Sequence, residues 1–197
     1  MKNIVILLII LGTCFSLSAA VLWDEAVSIR QGTNIEWFRT GIETSDGGAI
    51  YVWSDTKLGE RDLWAQKVDA SGNMCWGEPL LVDGKHDRQE DPVITRTSDN
   101  NYIIAWIDFS DDPDGNVYAQ KVNNQGSLLW QMGGKPVCVH TGTQISLNIE
   151  PDNAGGAYIV WSDSRNPSKD LYGQRLDANG NPVWACLLYT SPSPRDS

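Results

Sequence analysis

The chain has 197 residues, a formal net charge of −10, 41% hydrophobic residues and four cysteines. A surface this acidic repels phosphate backbones, which argues against a nucleic-acid partner. No CxxC pair, metal-ligand cluster or glycine-rich phosphate loop is present, so zinc, dithiol and nucleotide chemistry have no sequence support.

Lys2 precedes an unbroken apolar run from Ile4 to Leu11, and small residues follow up to Ala20. This is the pattern of a secretory signal peptide, expected over residues 1–20 with the cut after Ala20. A lipoprotein reading would modify Cys14, but Thr13 is a poor residue just before such a cysteine. The run is shorter than the roughly 20 apolar residues that a spanning helix needs. The mature protein is therefore expected to be secreted, extracellular or at the cell surface, with no membrane span after cleavage.

The mature part repeats. DLWAQKVDASGNMCW, from Asp62 to Trp76, returns at Asn116 to Trp130 and again at Asp170 to Trp184, each time 54 residues on. A fixed period of this kind marks a repeat architecture. The copies run over about 23–75, 76–129 and 130–184, with Trp23 one period before Trp76.

Within a copy, four strands follow in order, a to d. Strand a is expected at Trp37 to Thr44, Pro92 to Thr97 and Ile145 to Ile149. Strand b lies in Gly47 to Asp55, Asn100 to Asp108 and Gly155 to Asp163. Its run Ala49 to Trp53 is apolar at every position, so both its faces should be covered. Strand c is Leu63 to Val68, Val117 to Val122 and Leu171 to Leu176, with a repeated aromatic at Trp64, Tyr118 and Tyr172. Gln66, Gln120 and Gln174 share its face two residues on, and such an inward amide needs backbone partners. A turn of the form Asp/Asn-x-x-Gly follows, and Trp76, Trp130 and Trp184 are expected to start strand d.

The fold class expected is all-β: tandem four-stranded antiparallel blades of about 54 residues, an incomplete β-propeller in a truncated fragment. The opening d strand, Trp23 to Ile29, would close the ring's last blade. The final stretch, Cys186 to Ser197 (CLLYTSPSPRDS), has no counterpart in the repeats. It resembles a translated sequencing-library adapter, and the natural protein is expected to continue past Ala185.

Trp161 to Arg165 (WSDSR), Asp170 to Gly180 (DLYGQRLDANG) and Pro182 to Trp184 (PVW) carry a resemblance. They are similar to secreted repeat proteins of Bacteroidetes-like bacteria with GGAxxxWxD and YAQRxDxxGxxxW units. The resemblance implies a type IX secretion sorting domain in many members and says little of function. The turn also looks like the Asp-box of sialidases, but Asp69-x-x-Gly72-x-x-x-Trp76 lacks the leading serine. That box is a structural turn. Sialidase chemistry would need an arginine cluster, and Arg61, Arg88 and Arg165 share no repeat position.

Because direction alternates, the b–c and d–a loops emerge on one edge, and varied loops on a rigid scaffold are where binding concentrates. Candidate binding residues on that edge are Asp55, Asp108, Asp111, Asp112, Asp114, Asp163, His86 and His140. Asp55, Asp108 and Asp163 also suit loop-capping. Asp111, Asp112 and Asp114 offer the oxygen donors Ca²⁺ takes, but Ser110 breaks the calcium-loop pattern. No cofactor is expected, and a metal at the two histidines is left open. Cys75 and Cys138 read as small buried hydrophobes rather than a disulfide pair.

Two functions are weighed. The first is a non-catalytic secreted module, binding a protein or glycan. The alternative is a fragment of a sialidase-like, glycan-processing propeller enzyme. The carboxylates near strand a are Glu90, Asp91 and Glu150, and no nucleophile pairs with them, so the non-catalytic reading is preferred.

Overall fold

The computed structural model describes Ser28, Ile29 and residues 36–185. The expected signal peptide, residues 23–27 of the expected opening strand and the tail from Cys186 lie outside the described residues. Among those described, every regular element is a strand. They form three antiparallel sheets that succeed one another along the chain.

Sheet A holds β1 (Glu36–Glu43), β2 (Ala49–Asp55), β3 (Asp62–Val68) and β4 (Leu80–Asp83). Sheet B holds β5 (Gln89–Arg96), β6 (Tyr102–Asp108), β7 (Asn116–Val122) and β8 (Lys135–Cys138). Sheet C has three strands, β9 (Gln144–Pro151), β10 (Ala157–Asp163) and β11 (Asp170–Leu176). Each is a meander of sequence neighbours. Sheet B lies between the other two, with β5 packed against both β1 and β9.

Two apolar layers hold the stack. Ile50, Val52, Leu63 and Ala65 of sheet A meet Ile94, Tyr102, Ile104 and Trp106 of sheet B. On the other side of sheet B, Ile103, Ala105, Val117 and Ala119 meet Ile149, Ile159, Trp161 and Tyr172 of sheet C. β6 is consequently buried at every residue, as a strand apolar on both faces requires. β10 departs from that expectation. Tyr158 and Val160 are exposed, because only one face of sheet C has a neighbour among the described residues.

Side chains fix the repeat. Gln66 donates from Nε2 to the Trp76 carbonyl at 2.9 Å and accepts from the Lys67 and Trp76 amides. Gln120 and Gln174 make the same set around Trp130 and Trp184, except that Gln120 donates to the Gln131 carbonyl. The carboxylate of Asp69 accepts the Ser71 and Asn73 amides across the turn, and Asn123 and Asp177 do likewise. The tryptophans correct one expectation. Strand d begins at Leu80 and Lys135, so Trp76 and Trp130 precede it. Each instead crosses to the next sheet: Trp76 Nε1 donates to the Asn124 carbonyl at 3.2 Å, and Trp130 Nε1 to that of Ala178 at 3.3 Å.

A second repeated bond runs along the same end of the sheets, from strand c to the a–b turn. Lys67, Lys121 and Arg175 pair with Asp46, Asp99 and Asp152 at 2.5, 2.7 and 2.9 Å. The hydrogen bond from Lys67 and that from Thr44 hold the Asp46 carboxyl well below its ordinary range. Neither cysteine is in a disulfide; Cys138 is buried as expected, whereas Cys75 is exposed.

Candidate functional site

The edge that carries the b–c and d–a loops holds three of the eight predicted residues, Asp55, Asp108 and Asp163, at the ends of the b strands. β2 and β3 end in register at Asp55 and Asp62, β6 and β7 at Asp108 and Asn116, and β10 and β11 at Asp163 and Asp170. The three b-strand aspartates are almost wholly buried. Asp108 accepts the Ser110 amide at 2.8 Å and Asp163 the Arg165 amide at 2.9 Å, so both cap their loops. Asp55 accepts from Trp53 Nε1 at 3.4 Å, and Asp163 from Trp161 Nε1 at 2.9 Å.

A cation sits over the repeated aromatic in each sheet. Lys57 Nζ lies 4.9 Å from the Trp64 ring, Lys85 Nζ 3.7 Å from that of Tyr118, and Arg165 Cζ 4.0 Å from that of Tyr172. Lys85 also bonds Asp108 at 2.7 Å, and Arg165 grips Asp163 through Nε at 2.9 Å and Nη2 at 2.5 Å. Burial works against ionisation of Asp108 and Asp163, but these bonds outweigh it and hold both carboxyls low. Asp83 ends β4, and its Oδ2 stands 3.8 Å from Lys85 Nζ. Burial, with the Asp108 charge nearby, pushes its carboxyl up. Burial and the Asp55 charge likewise push Asp62 up to about 6.

The remaining predicted residues do not converge. Asp111 and Asp114 are exposed, and Asp112 accepts the Asp114 amide at 2.9 Å within its own loop. His86 is exposed, and its carbonyl accepts the Ser110 hydroxyl at 2.7 Å. The His140 amide donates to Asn116 Oδ1, and its ring Nδ1 stands 2.9 Å from the Thr141 carbonyl. Among the described residues, no group of three or more His, Cys, Asp or Glu side chains is placed to hold a metal ion.

The innermost strands hold the group on which the geometry bears most. Each carries a register shift opposite or beside the b-strand tryptophan: between Trp37 and Arg39, between Glu90 and Val93, and between Ile145 and Asn148. Such bulges bend a strand and re-aim its side chains. Asp91 and Ser146 occupy matching places in the second and third bulges, with φ of 50° and 58°. A non-glycine residue in that region is strained, and such strain concentrates where function over-determines the backbone. Asp91 is half-buried, and burial alone raises its carboxyl. It has no hydrogen-bond or ion-pair partner among the described residues.

Glu90 beside it is anchored. Arg61 from the β2–β3 loop and Arg88 both bind its carboxylate, the latter at 3.3 Å, and Arg88 stacks 3.8 Å over Phe109. Arg61 and Arg88 share no repeat position, yet the A–B junction brings them to one carboxylate. Glu150 pairs in register with Tyr158, at the far end of its strand from Ser146.

No family model and no curated protein matches the chain. Solved structures do. A candidate exo-β-1,3-galactanase from Bifidobacterium bifidum is 10% identical over 75% of this chain and 51% of its own, with a TM-score of 0.48. An endo-arabinase from Bacteroides thetaiotaomicron is 12% identical over 76% and 62%, with a TM-score of 0.47. A candidate glycosidase from the same organism is 8% identical over 74% and 51%, with a TM-score of 0.46. The chain thus spans about half to two-thirds of their lengths. These likenesses, all to proteins with glycan-processing names, overturn the expectation of a non-catalytic binding module that is not an enzyme. At such identities the chemistry has to be argued from the chain's own side chains.

Proposed function

We propose that the chain supplies three consecutive blades of a secreted β-propeller enzyme that processes glycans, with Asp91 as its general acid. The observation that carries this reading is Asp91 itself: a half-buried carboxyl raised by burial, without a partner among the described residues, set in a left-handed bulge on the innermost strand of the middle sheet. Glycosidic cleavage needs such an acid, because the leaving oxygen must gain a proton as its bond to the anomeric carbon breaks. The Asp91 carboxyl gives that proton to the oxygen, and water then adds to the sugar and returns one. The second carboxylate of the reaction comes, in this reading, from another inner strand around the same axis. The 54-residue period, the meander sheets and their stacking support the propeller architecture. The apolar amino-terminal stretch supports action outside the cell.

The test is hydrolysis of arabinan, galactan and β-mannan oligosaccharides by the protein bearing this chain, with and without Asp91→Asn. We expect a loss of roughly 10²–10⁴-fold in kcat for the variant with folding intact. The rate should fall as pH rises through the raised Asp91 value, since the acid form does the work. A variant that retains full activity, or a protein that cleaves none of these glycans, would overturn the reading.

A further inference from the structure

The junction of sheets A and B buries a carboxyl that the junction of sheets B and C lacks. Asp83, at the end of β4, pairs in register with Leu63, and Cys138, at the end of β8, pairs with Val117, so the two share a repeat position. At the B–C junction Arg165 binds Asp163 and stands 3.0 Å from the Cys138 sulfur, which sets one carboxylate against one cation. At the A–B junction Lys85 faces two carboxyl groups. It bonds Asp108 at 2.7 Å and stands 3.8 Å from Asp83 Oδ2, beyond hydrogen-bond reach.

The Asp83 side chain is only 1% exposed. Its Oδ1 accepts the Lys85 amide at 3.3 Å, whereas its Oδ2 has no hydrogen-bond partner among the described residues. A buried polar atom left in that state costs stability unless a guest satisfies it. Asp83 lines a cavity of about 320 Å³ between β4 and the turn before β8, a size within the range of small-molecule sites. Leu81, Val82, Leu128 and Met132 form its walls, and Asp83 and Lys85 bring its charges. Gly133, at φ 78°, leaves room beside them, since a Cβ there would come within 2.8 Å of Lys85 Cε.

This lining selects its guest. With both aspartates ionised the charge left over is negative, which favours a cation. A bare metal ion fits poorly. Ca²⁺ takes about six to eight oxygen ligands, and the four wall residues offer no side-chain oxygen. An organic cation matches both parts of the cavity, with a charged donor for the carboxylate and hydrocarbon for the walls.

We propose that this cavity binds a small primary amine, whose ammonium donates to Asp83 Oδ2 and whose alkyl chain lies against Leu81, Val82, Leu128 and Met132. The site is built on outer strands, whereas Asp91 stands on an innermost one, and it does not rest on the activity proposed above. Burial, with the Asp108 charge set against that of Lys85, pushes the Asp83 carboxyl up to about 7. Lys85 and Tyr118 are raised and Asp108 is lowered, so these neighbours keep one charge state between pH 5 and pH 8. Asp62, close to Gly84, is raised to about 6 and titrates in that range. The amine therefore competes with the proton on Asp83 and binds more tightly as pH rises through about 7.

The experiment is calorimetric titration of the protein bearing this chain with n-hexylammonium chloride. Saturable one-to-one binding is expected at pH 8. n-Hexanol, which has the same chain without the charge, should bind roughly 10–100-fold more weakly, and so should hexylammonium to Asp83→Asn, with folding checked by circular dichroism. Between pH 8 and pH 5 the affinity of the parent protein should fall roughly 100-fold, because only ionised Asp83 accepts the ammonium. Asp62→Asn should show the same fall. The pH series needs no variant at Asp83, so it decides the matter even if Asp83→Asn does not fold. Absence of binding, equal affinity for n-hexanol, undiminished binding by folded Asp83→Asn, a flat pH profile or displacement of the amine by Ca²⁺ would each overturn the proposal.

Discussion

Asp62 shows how one residue sets a pH dependence. Its carboxyl is buried beside Asp55 and raised to about 6, against about 3.9 in an unfolded chain. The stability linked to its protonated form is fully present below about pH 4 and is lost as pH rises to about 6. Asp62→Asn should remove that loss, gaining on the order of 2 kcal/mol over the original at pH 8 relative to pH 4. Urea unfolding at the two pH values measures it, and an unchanged difference would show that Asp62 titrates alike in the folded and unfolded chain. At this scale the sequence was partly readable. Three glutamines on one strand face foretold amides bonded to backbone, and Gln66, Gln120 and Gln174 are so bonded. The pairing of Lys67 with Asp46 was not foreseen, because 21 residues separate them and only the b–c register sets them side by side. The same holds for Arg61 on Glu90, which reaches it from the β2–β3 loop of the neighbouring sheet, 29 residues earlier.

Among the elements, the turn after strand c does more than reverse the chain. Its aspartate or asparagine organises the loop, and its glycine receives an indole from the preceding sheet. Gly126→Ala should therefore cost about 1–3 kcal/mol, through positive φ and through overpacking on Trp76. Thermal unfolding reads it; a change within experimental error would mean the Trp76 ring can retreat. From sequence the tryptophan looked like the first residue of strand d. Periodicity locates a residue in the repeat but does not say whether its side chain packs within its own sheet or onto the next. The inner-strand bulges were invisible for a related reason. The strand expected from sequence starts at Pro92, after Glu90 and Asp91, and only the register with β6 shows that β5 begins at Gln89 and carries extra residues there.

For the whole molecule, position in the stack decides what a residue is worth. Trp106, in the middle sheet, is fully buried, whereas Trp184 is half-exposed on the outer one. Trp106→Ala should cost about 3–5 kcal/mol, and Trp184→Ala in this chain less than about 1 kcal/mol. Equal costs in denaturant titration would mean that the outer face is covered after all. The sequence by itself determined the period, the all-β class, the four-strand order and the loop-bearing edge, because apolar runs, turn residues and repeats are local signals. The tertiary structure alone decided which carboxylates are buried, which are held by cations, and that Asp91 stands without a partner among the described residues. Those properties depend on desolvation and on neighbours contributed by other strands and sheets, and no local pattern records them.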